Sequence, residues 1–319
     1  MRGRRLRWRG RIYLKGMMQA GVVRIGISGW RYKGWRGKFY PPKLPQRAEL
    51  EFASREFATI ELNGSFYSLQ RPENFARWRE ETPEDFVFSV KGSRYITHLR
   101  RLKEVKQPLA NFFAQGLLEF GEKLGPILWQ FPPNFKYDRE RFEEFFRLLP
   151  RSTRAAARLA HTHDSWMDSR SFTKSGHDRP LRHCVEIRHE SFAVPEFIDL
   201  LREHDIGLVV ADTVDWPLLM DVTSDFVYCR LHGSEQLYAS GYTDSALETW
   251  AVRVAAWAKG GGSSDGRFAQ PERSAPKKPR DVYVYFDNDA KVRAPADAKT
   301  LRELVTKQLS SEANVPRAA

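Results

Sequence analysis

A chain of 319 residues, 41% hydrophobic and 13% aromatic, has enough apolar side chain for a sizeable core, which excludes a disordered protein. Its net charge of +12 is unevenly spread: residues 1–21 hold six arginines, one lysine and no acid, so the remainder is only mildly basic. No apolar run approaches the ~18 residues a membrane span needs, and two cysteines make no disulfide framework.

The opening "MRGRRLRWRGRIYLKGMMQAG" lacks a long apolar segment and is a poor secretory signal. It reads as a basic, disordered arm over residues 1–21, or as an over-long start with Met17 and Met18 as alternatives. Its charge could offer contacts to nucleic-acid phosphates.

From Val22 the pattern becomes regular. Eight short apolar or β-branched runs predict strands: "VVRIGIS" (22–28), "ATIELN" (58–63), "FVFSVK" (86–91), "PILWQF" (126–131), "CVEIR" (184–188), "GLVVAD" (207–212), "FVYCRLH" (226–232) and "VYVYFDN" (282–288). Amphipathic stretches between them predict helices over 47–58, 72–81, 108–125, 138–149, 195–204, 244–258 and 295–309. Pro72 suits a first turn, Asp138 an N-cap and Gly125 a C-terminal cap. Only "DWPLLM" (215–220), after the sixth strand, is too short for an ordinary helix.

Strand–helix alternation repeated eight times predicts a single-domain α/β protein, a TIM-type (β/α)8 barrel over residues 22–309 with a tail at 310–319. An open doubly wound sheet is the alternative, but no Gly-rich nucleotide turn follows the first strand. Residues 151–182 break the rhythm and read as an insertion before strand five. Residues 259–280, rich in Gly, Ser, Pro and Lys, read as a flexible loop before strand eight, on the far side of the barrel. Cys184 and Cys229 lie in strand-like runs and read as buried thiols in a reducing cytoplasm.

Each predicted strand turns polar near its C-terminal end. In order, the strands offer Ser28 with Trp30, Glu61 with Asn63, Ser89 with Lys91, Gln130, Glu186 with Arg188, Asp212, Arg230 with His232, and Asp287 with Asn288. Alternation puts Glu186 and Arg188 on one face, opposite Val185 and Ile187. A barrel whose mouth holds the site accounts for eight polar ends in step. Charges inside such a mouth must pair with one another, water or a ligand. An internal ion pair and a ligand site therefore both remain open for Glu186 and Arg188.

The segments "IGISGWRYKGWRGKFYPP", "ELNGSFYSLQRPENFARW", "FVFSVKGSRYITH", "PILWQFPPNF", "VEIRHESF", "YCRLHG" and "VYVYFDNDAKVRAPADAKTL" together resemble the YecE-like family, domain-of-unknown-function family 72. The likeness runs in order through nearly everything from residue 22 to 309. It implies a TIM-type barrel with its site among these motifs, and implies no established activity. The family pattern has paired asparagines and a later glycine in the last motif, where this chain reads Asp287-Asn288 and Val292-Arg293.

A mouth with Lys91, Arg188 and Arg230 facing Glu61, Glu186, Asp212 and Asp287 suits a substrate carrying an anion and hydroxyls. A two-pronged arginine grip on phosphate would come from Arg188 or Arg230. His232 is a proton-transfer candidate, with Glu186 or Asp212 as its counterpart. Trp30, Asn63, Gln130 and Asn288 complete the expected substrate contacts, and the aromatics Tyr32, Trp35, Phe39, Tyr40, Phe66 and Tyr67 read as stacking platforms or lid packing. No metal ligands are assigned and no cofactor is expected. A divalent ion is a secondary reading: the carboxylates and His232 offer ligands, but the neighbouring arginines would repel it. His-Glu-x-x-His, Gly-x-Ser-x-Gly and Walker patterns are absent. The expected function is an enzyme, a hydrolase or isomerase acting on a phosphorylated or carbohydrate-like small molecule. The alternatives are a nucleic-acid-binding or phosphodiester-cleaving protein and a non-catalytic ligand-binding barrel.

Overall fold

The structure is a computed structural model that describes residues 20–233, 241–273, 275–288 and 292–311. Eight parallel strands close on themselves in chain order: β1 (Val23–Ser28), β2 (Thr59–Leu62), β3 (Val87–Lys91), β4 (Leu124–Gln130), β5 (His183–Glu186), β6 (Ile206–Asp212), β7 (Phe226–Leu231) and β8 (Asp281–Phe286). Every strand falls within two residues of its expected start. The helices are α1 (Glu49–Glu56), α2 (Gly64–Tyr67), α3 (Pro72–Glu81), α4 (Lys106–Ala114), α5 (Arg139–Leu148), α6 (Thr153–Ala160), α7 (Pro195–Glu203), α8 (Asp244–Ala258) and α9 (Ala294–Ser311). None of the described helices is long and apolar enough to cross a membrane. Nearly all of the basic arm and most of the tail lie outside the described residues; Gly21 donates its N–H to the Ala258 carbonyl at 2.9 Å.

Strand alternation divides the apolar side chains between two layers. Ile27, Ile60, Phe88, Val90, Trp129, Val185 and Val284 face the helices, with Phe75, Trp78, Phe112 and Phe145 packed against them. The barrel interior is a separate, smaller cluster that includes Leu128, Cys184, Val209, Ala211, Tyr228, Tyr283 and Tyr285. Both cysteines are buried and unpaired in disulfides.

Local chemistry sets the helix ends. Asp138 caps α5 by accepting from the Arg141 N–H at 3.2 Å, and Thr243 caps α8 through the Ala246 N–H at 3.2 Å. The helix expected over 108–125 stops early, at Ala114. Gly116 follows with φ 121°, where a Cβ would meet the Pro72 Cα at 2.6 Å, and the chain continues as a 3-10 stretch, Leu117–Lys123. The excursion before β5 contains α6 and docks on α4: Asn111 donates to Asp164 at 2.7 Å and accepts from its N–H at 2.9 Å.

The connection from β6 to β7 contains no helix, as the brevity of "DWPLLM" implied. Residues 266–273, part of the stretch 259–280 expected to be a flexible loop, fill that place instead. Asp221 accepts from the N–H groups of Ala269 and Gln270 at 2.8 and 3.0 Å. The Met220 N–H donates to the Arg267 carbonyl at 2.9 Å, and Arg273 pairs with Asp199 of α7 at 2.8 Å. Saturated backbone groups and ion pairs fasten this segment to the outer wall.

Candidate active site

Arg230 occupies the middle of the mouth and is fully buried. Its Nη2 and Nε donate to Glu61 Oε1 and Oε2 at 2.9 and 3.1 Å. Nη1 donates to Glu186 Oε2 at 2.6 Å, and Nη2 also reaches Asp287 Oδ2 at 2.8 Å. Ser28 donates to Glu61 Oε1 at 2.6 Å, Asn63 donates to Ser28 at 2.8 Å, and Tyr228 approaches from below to donate to Glu61 Oε2 at 2.7 Å. Register places these groups together: Ser28 pairs with Glu61, Glu61 with Ser89, Gln130 with Glu186, and Arg230 with both Ala211 and Tyr285.

A guanidinium this deep persists only because every nitrogen has an anionic acceptor. Burial alone would raise the Glu186 pKa, but Arg188 and then Arg230 hold it well below the usual carboxylate range. Asp287 is likewise held down, burial being outweighed by Arg230 and His232. These carboxylates are ionised and engaged, so they orient and balance charge and are poor proton acceptors near neutrality. His232 lies with Nδ1 3.2 Å from Asp287 Oδ2 and Nε2 3.9 Å from Glu186 Oε1. Burial and then Arg230 lower its pKa, so the ring is neutral at pH 7 and suited to accept a proton.

The donors left open are elsewhere. Lys91 is buried, 8% exposed, with Nζ 4.2 Å from the centre of the Phe66 ring. Among the described residues its ammonium has no hydrogen bond and no ion pair within 4.0 Å. Burial, followed by Arg230, brings its pKa down to about 8, against the pull of Glu186, Glu61 and Asp287. Arg188 spends its Nε on Glu186 Oε1 at 2.7 Å and holds its Cζ over the Trp216 ring, 3.6 Å from the centre. Its two terminal nitrogens make no hydrogen bond to the described residues.

His98 stands at the same rim, on a single π-helical turn, Tyr95–Leu99, an irregularity often found at functional sites. Its Nδ1 is 2.9 Å from the Thr97 hydroxyl, its Nε2 is 3.5 Å from Gln130 Nε2, and its ring stands nearly perpendicular to that of Phe66, 5.1 Å between centres. Burial, then Lys91 and Arg188, push its pKa down to about 4. Neither His98 nor Trp216 belongs to a strand, so alternation had no means of finding them. Their signals were closeness in sequence to Lys91 and to the end of β6 and, for His98, its place at the end of the motif "FVFSVKGSRYITH".

Three expectations are corrected. Asp212 pairs in register with Leu231, not Arg230, so it faces outward and accepts from Trp250 Nε1 of α8 at 3.1 Å. Asn288 is also one residue out of step with the interior; it donates to Asp297 of α9 at 2.8 Å. Trp30 follows Gly29, whose φ of 79° ends the alternation, and packs outside the barrel against Trp78, 5.5 Å between ring centres. Arg230 does reach the mouth, where each of its nitrogens donates to a carboxylate, whereas the Nη groups of Arg188 do not. Most of the rim aromatics are packing: Trp35, Phe39 and Tyr40 cluster with Phe52 and Phe57, whereas Phe66 lies beside Lys91. Among the described residues no three His, Cys, Asp or Glu side chains are grouped as a metal would require.

Known proteins converge on the same description. The family described as "Protein of unknown function DUF72" matches residues 24–319. UPF0759 protein YunF of Bacillus subtilis is 34% identical over 124 residues, covering 37% of this chain and 43% of that protein. UPF0759 protein YecE of Escherichia coli is 29% identical over 146 residues, 39% of this chain and 50% of that one. The matches thus span about half the length of these relatives or less. A DUF72 family protein from Thermotoga maritima superposes with a TM-score of 0.65 at 25% identity, over 89% of this chain and 99% of that one. One from Enterococcus faecalis gives 0.60 at 16% identity, over 91% and 99%, a likeness of fold alone. The closed eight-stranded barrel and the motifs at its mouth thus agree with the family match: the chain belongs to the DUF72 family, whose function is unknown.

Proposed function

We propose that this protein is an enzyme acting on a small molecule that carries an anionic group, a sugar phosphate or a similar phosphorylated, hydroxyl-rich compound, bound at the C-terminal mouth of the barrel. One observation supports this above the others: each nitrogen of Arg230 already donates to a carboxylate, whereas Lys91 and the Nη groups of Arg188 are held at the same mouth with no protein acceptor among the described residues. Positively charged donors are costly to bury unless something accepts from them. A phosphate would take the two Nη groups in a forked grip and the ammonium as a point charge. Neutral His232 and the depressed Lys91 amine supply proton transfer near pH 7, which suits hydrolysis or isomerisation. Gln130 and Asn63 supply amides for hydroxyls.

The test is thermal denaturation with millimolar glucose 6-phosphate, ribose 5-phosphate and AMP. A ligand at a hundredfold over its dissociation constant stabilises by about 2.7 kcal/mol, so a rise in Tm of several degrees is expected with at least one, and its loss in Arg188→Ala. Failure of all three to move Tm overturns the proposal.

A further inference from the structure

We infer that Lys91 is a carbonyl-capturing amine: it forms an imine with an aldehyde or ketone carbon of the substrate, whose anionic group is held beside it by Arg188. This rests on reading the mouth as an anion site and names the second functional group its substrate carries.

The geometry is that of an amine nucleophile. Lys91 ends β3 and is buried among charges. Its Nζ sits against the Phe66 ring face at 4.2 Å, with no carboxylate within 4.0 Å to hold it as an ion pair. A lysine in an ion pair is locked in the protonated form; one desolvated near a second cation is activated, and Arg230 is that cation. An amine with a pKa of about 8 is roughly a quarter neutral at pH 7.5, against about one part in a thousand for an ordinary lysine. Anion binding alone would be served better by arginine, which never deprotonates.

The step balances without a co-reactant. The Nζ lone pair attacks the carbonyl carbon while the C=O π pair moves to oxygen, which takes a proton from nitrogen to give a carbinolamine. The nitrogen lone pair then forms C=N and expels that oxygen with the second amine proton, releasing one water. Neutral His232 is the ring in the mouth suited to relay the proton.

The test is reductive trapping on the full-length protein with glycolaldehyde phosphate and cyanoborohydride at pH 7.5, followed by peptide mapping. Melting with glycerol 3-phosphate, which has the phosphate but no carbonyl, is measured in parallel. Expected is an adduct on Lys91 about tenfold or more above that on any other lysine, suppressed by excess glycerol 3-phosphate and lost in Lys91→Arg. Stabilisation by glycerol 3-phosphate with label spread evenly over the lysines overturns the imine and leaves the anion site standing. No stabilisation, with selective Lys91 labelling by unphosphorylated glycolaldehyde, overturns the anion site and leaves the imine. Neither effect overturns both.

Discussion

Glu61 and Arg230, three strands apart around the ring, are joined by two near-parallel hydrogen bonds of 2.9 and 3.1 Å. The pair is the keystone of the mouth, because the same guanidinium also binds Glu186 and Asp287. Removing one partner leaves buried charge uncompensated, at a cost of about 3–5 kcal/mol. Arg230→Met is therefore expected to lower stability in urea denaturation by that amount, because it leaves Glu61 and Asp287 without their guanidinium and Glu186 with Arg188 alone. A loss below ~1 kcal/mol would contradict the network.

Asp287→Asn keeps an acceptor for Arg230 Nη2 but removes a negative charge from the mouth. Two carboxylates then face Arg188, Arg230 and Lys91. Inorganic phosphate is expected to bind roughly tenfold more tightly, a gain of about 1–2 kcal/mol for one unit charge at this range. Titration calorimetry of both proteins at one salt concentration checks it, and equal affinities would place the anion away from Asp287.

Lys91 is expected to give phosphate affinity a pH dependence, which titration calorimetry across pH 7–9 would read. Its folded pKa of about 8 means that the ammonium is present below pH 8 and lost above it, so affinity should fall as pH rises from 7 to 9. Lys91→Arg should abolish that step. Folding linkage has the opposite slope. The unfolded chain holds this proton more tightly, so between pH 8 and 10.5 this group favours the folded state increasingly as pH rises.

His183, on the outer face of β5, accepts from Trp129 Nε1 at Nδ1 (3.2 Å) and donates from Nε2 to the Pro150 carbonyl at 2.8 Å. This fixes a neutral ring, and burial lowers its pKa to about 3. The unfolded chain takes up this proton first, so the contribution is present above pH 6.5 and is lost as pH falls toward 3, by ~1 kcal/mol per pH unit. Acid titration of urea stability should show a shallower slope in His183→Gln than in the natural protein.

Trp30 and Asp212 belong to the outer layer. Trp30→Ala is expected to destabilise by about 3–5 kcal/mol and Asp212→Ala by about 1–2 kcal/mol, since Trp250 loses its acceptor. Neither should change phosphate affinity once the protein is folded. A large affinity loss in Asp212→Ala would return that residue to the site.

Strand order and the interior residues Glu61, Lys91, Glu186, Arg230 and Asp287 were legible because alternation with period two fixes which face a side chain takes. Asp212 and Asn288 were misread for a related reason: lateness in a strand does not decide the face, parity does, and each is one residue out of step with an interior neighbour. Trp30 was lost at Gly29, where a positive φ resets the count. His98 and Trp216 lie on connections without a period. That every nitrogen of Arg230 meets a carboxylate depends on three acids arriving from β2, β5 and the end of β8, a convergence no local window contains.

The outer wall has one further consequence. In a ring built of repeats, each unit seals its own sector as it is completed, but the gap between β6 and β7 is sealed by residues 266–273, from beyond α8. The sixth unit thus stays open until the chain has nearly ended, so the second half of the barrel is stitched into one cooperative block and not a row of interchangeable modules. Severing the chain near residue 263 would leave each hydrogen-bonded strand in place yet loosen the hold of residues 266–273 on Met220, Asp221 and Asp199.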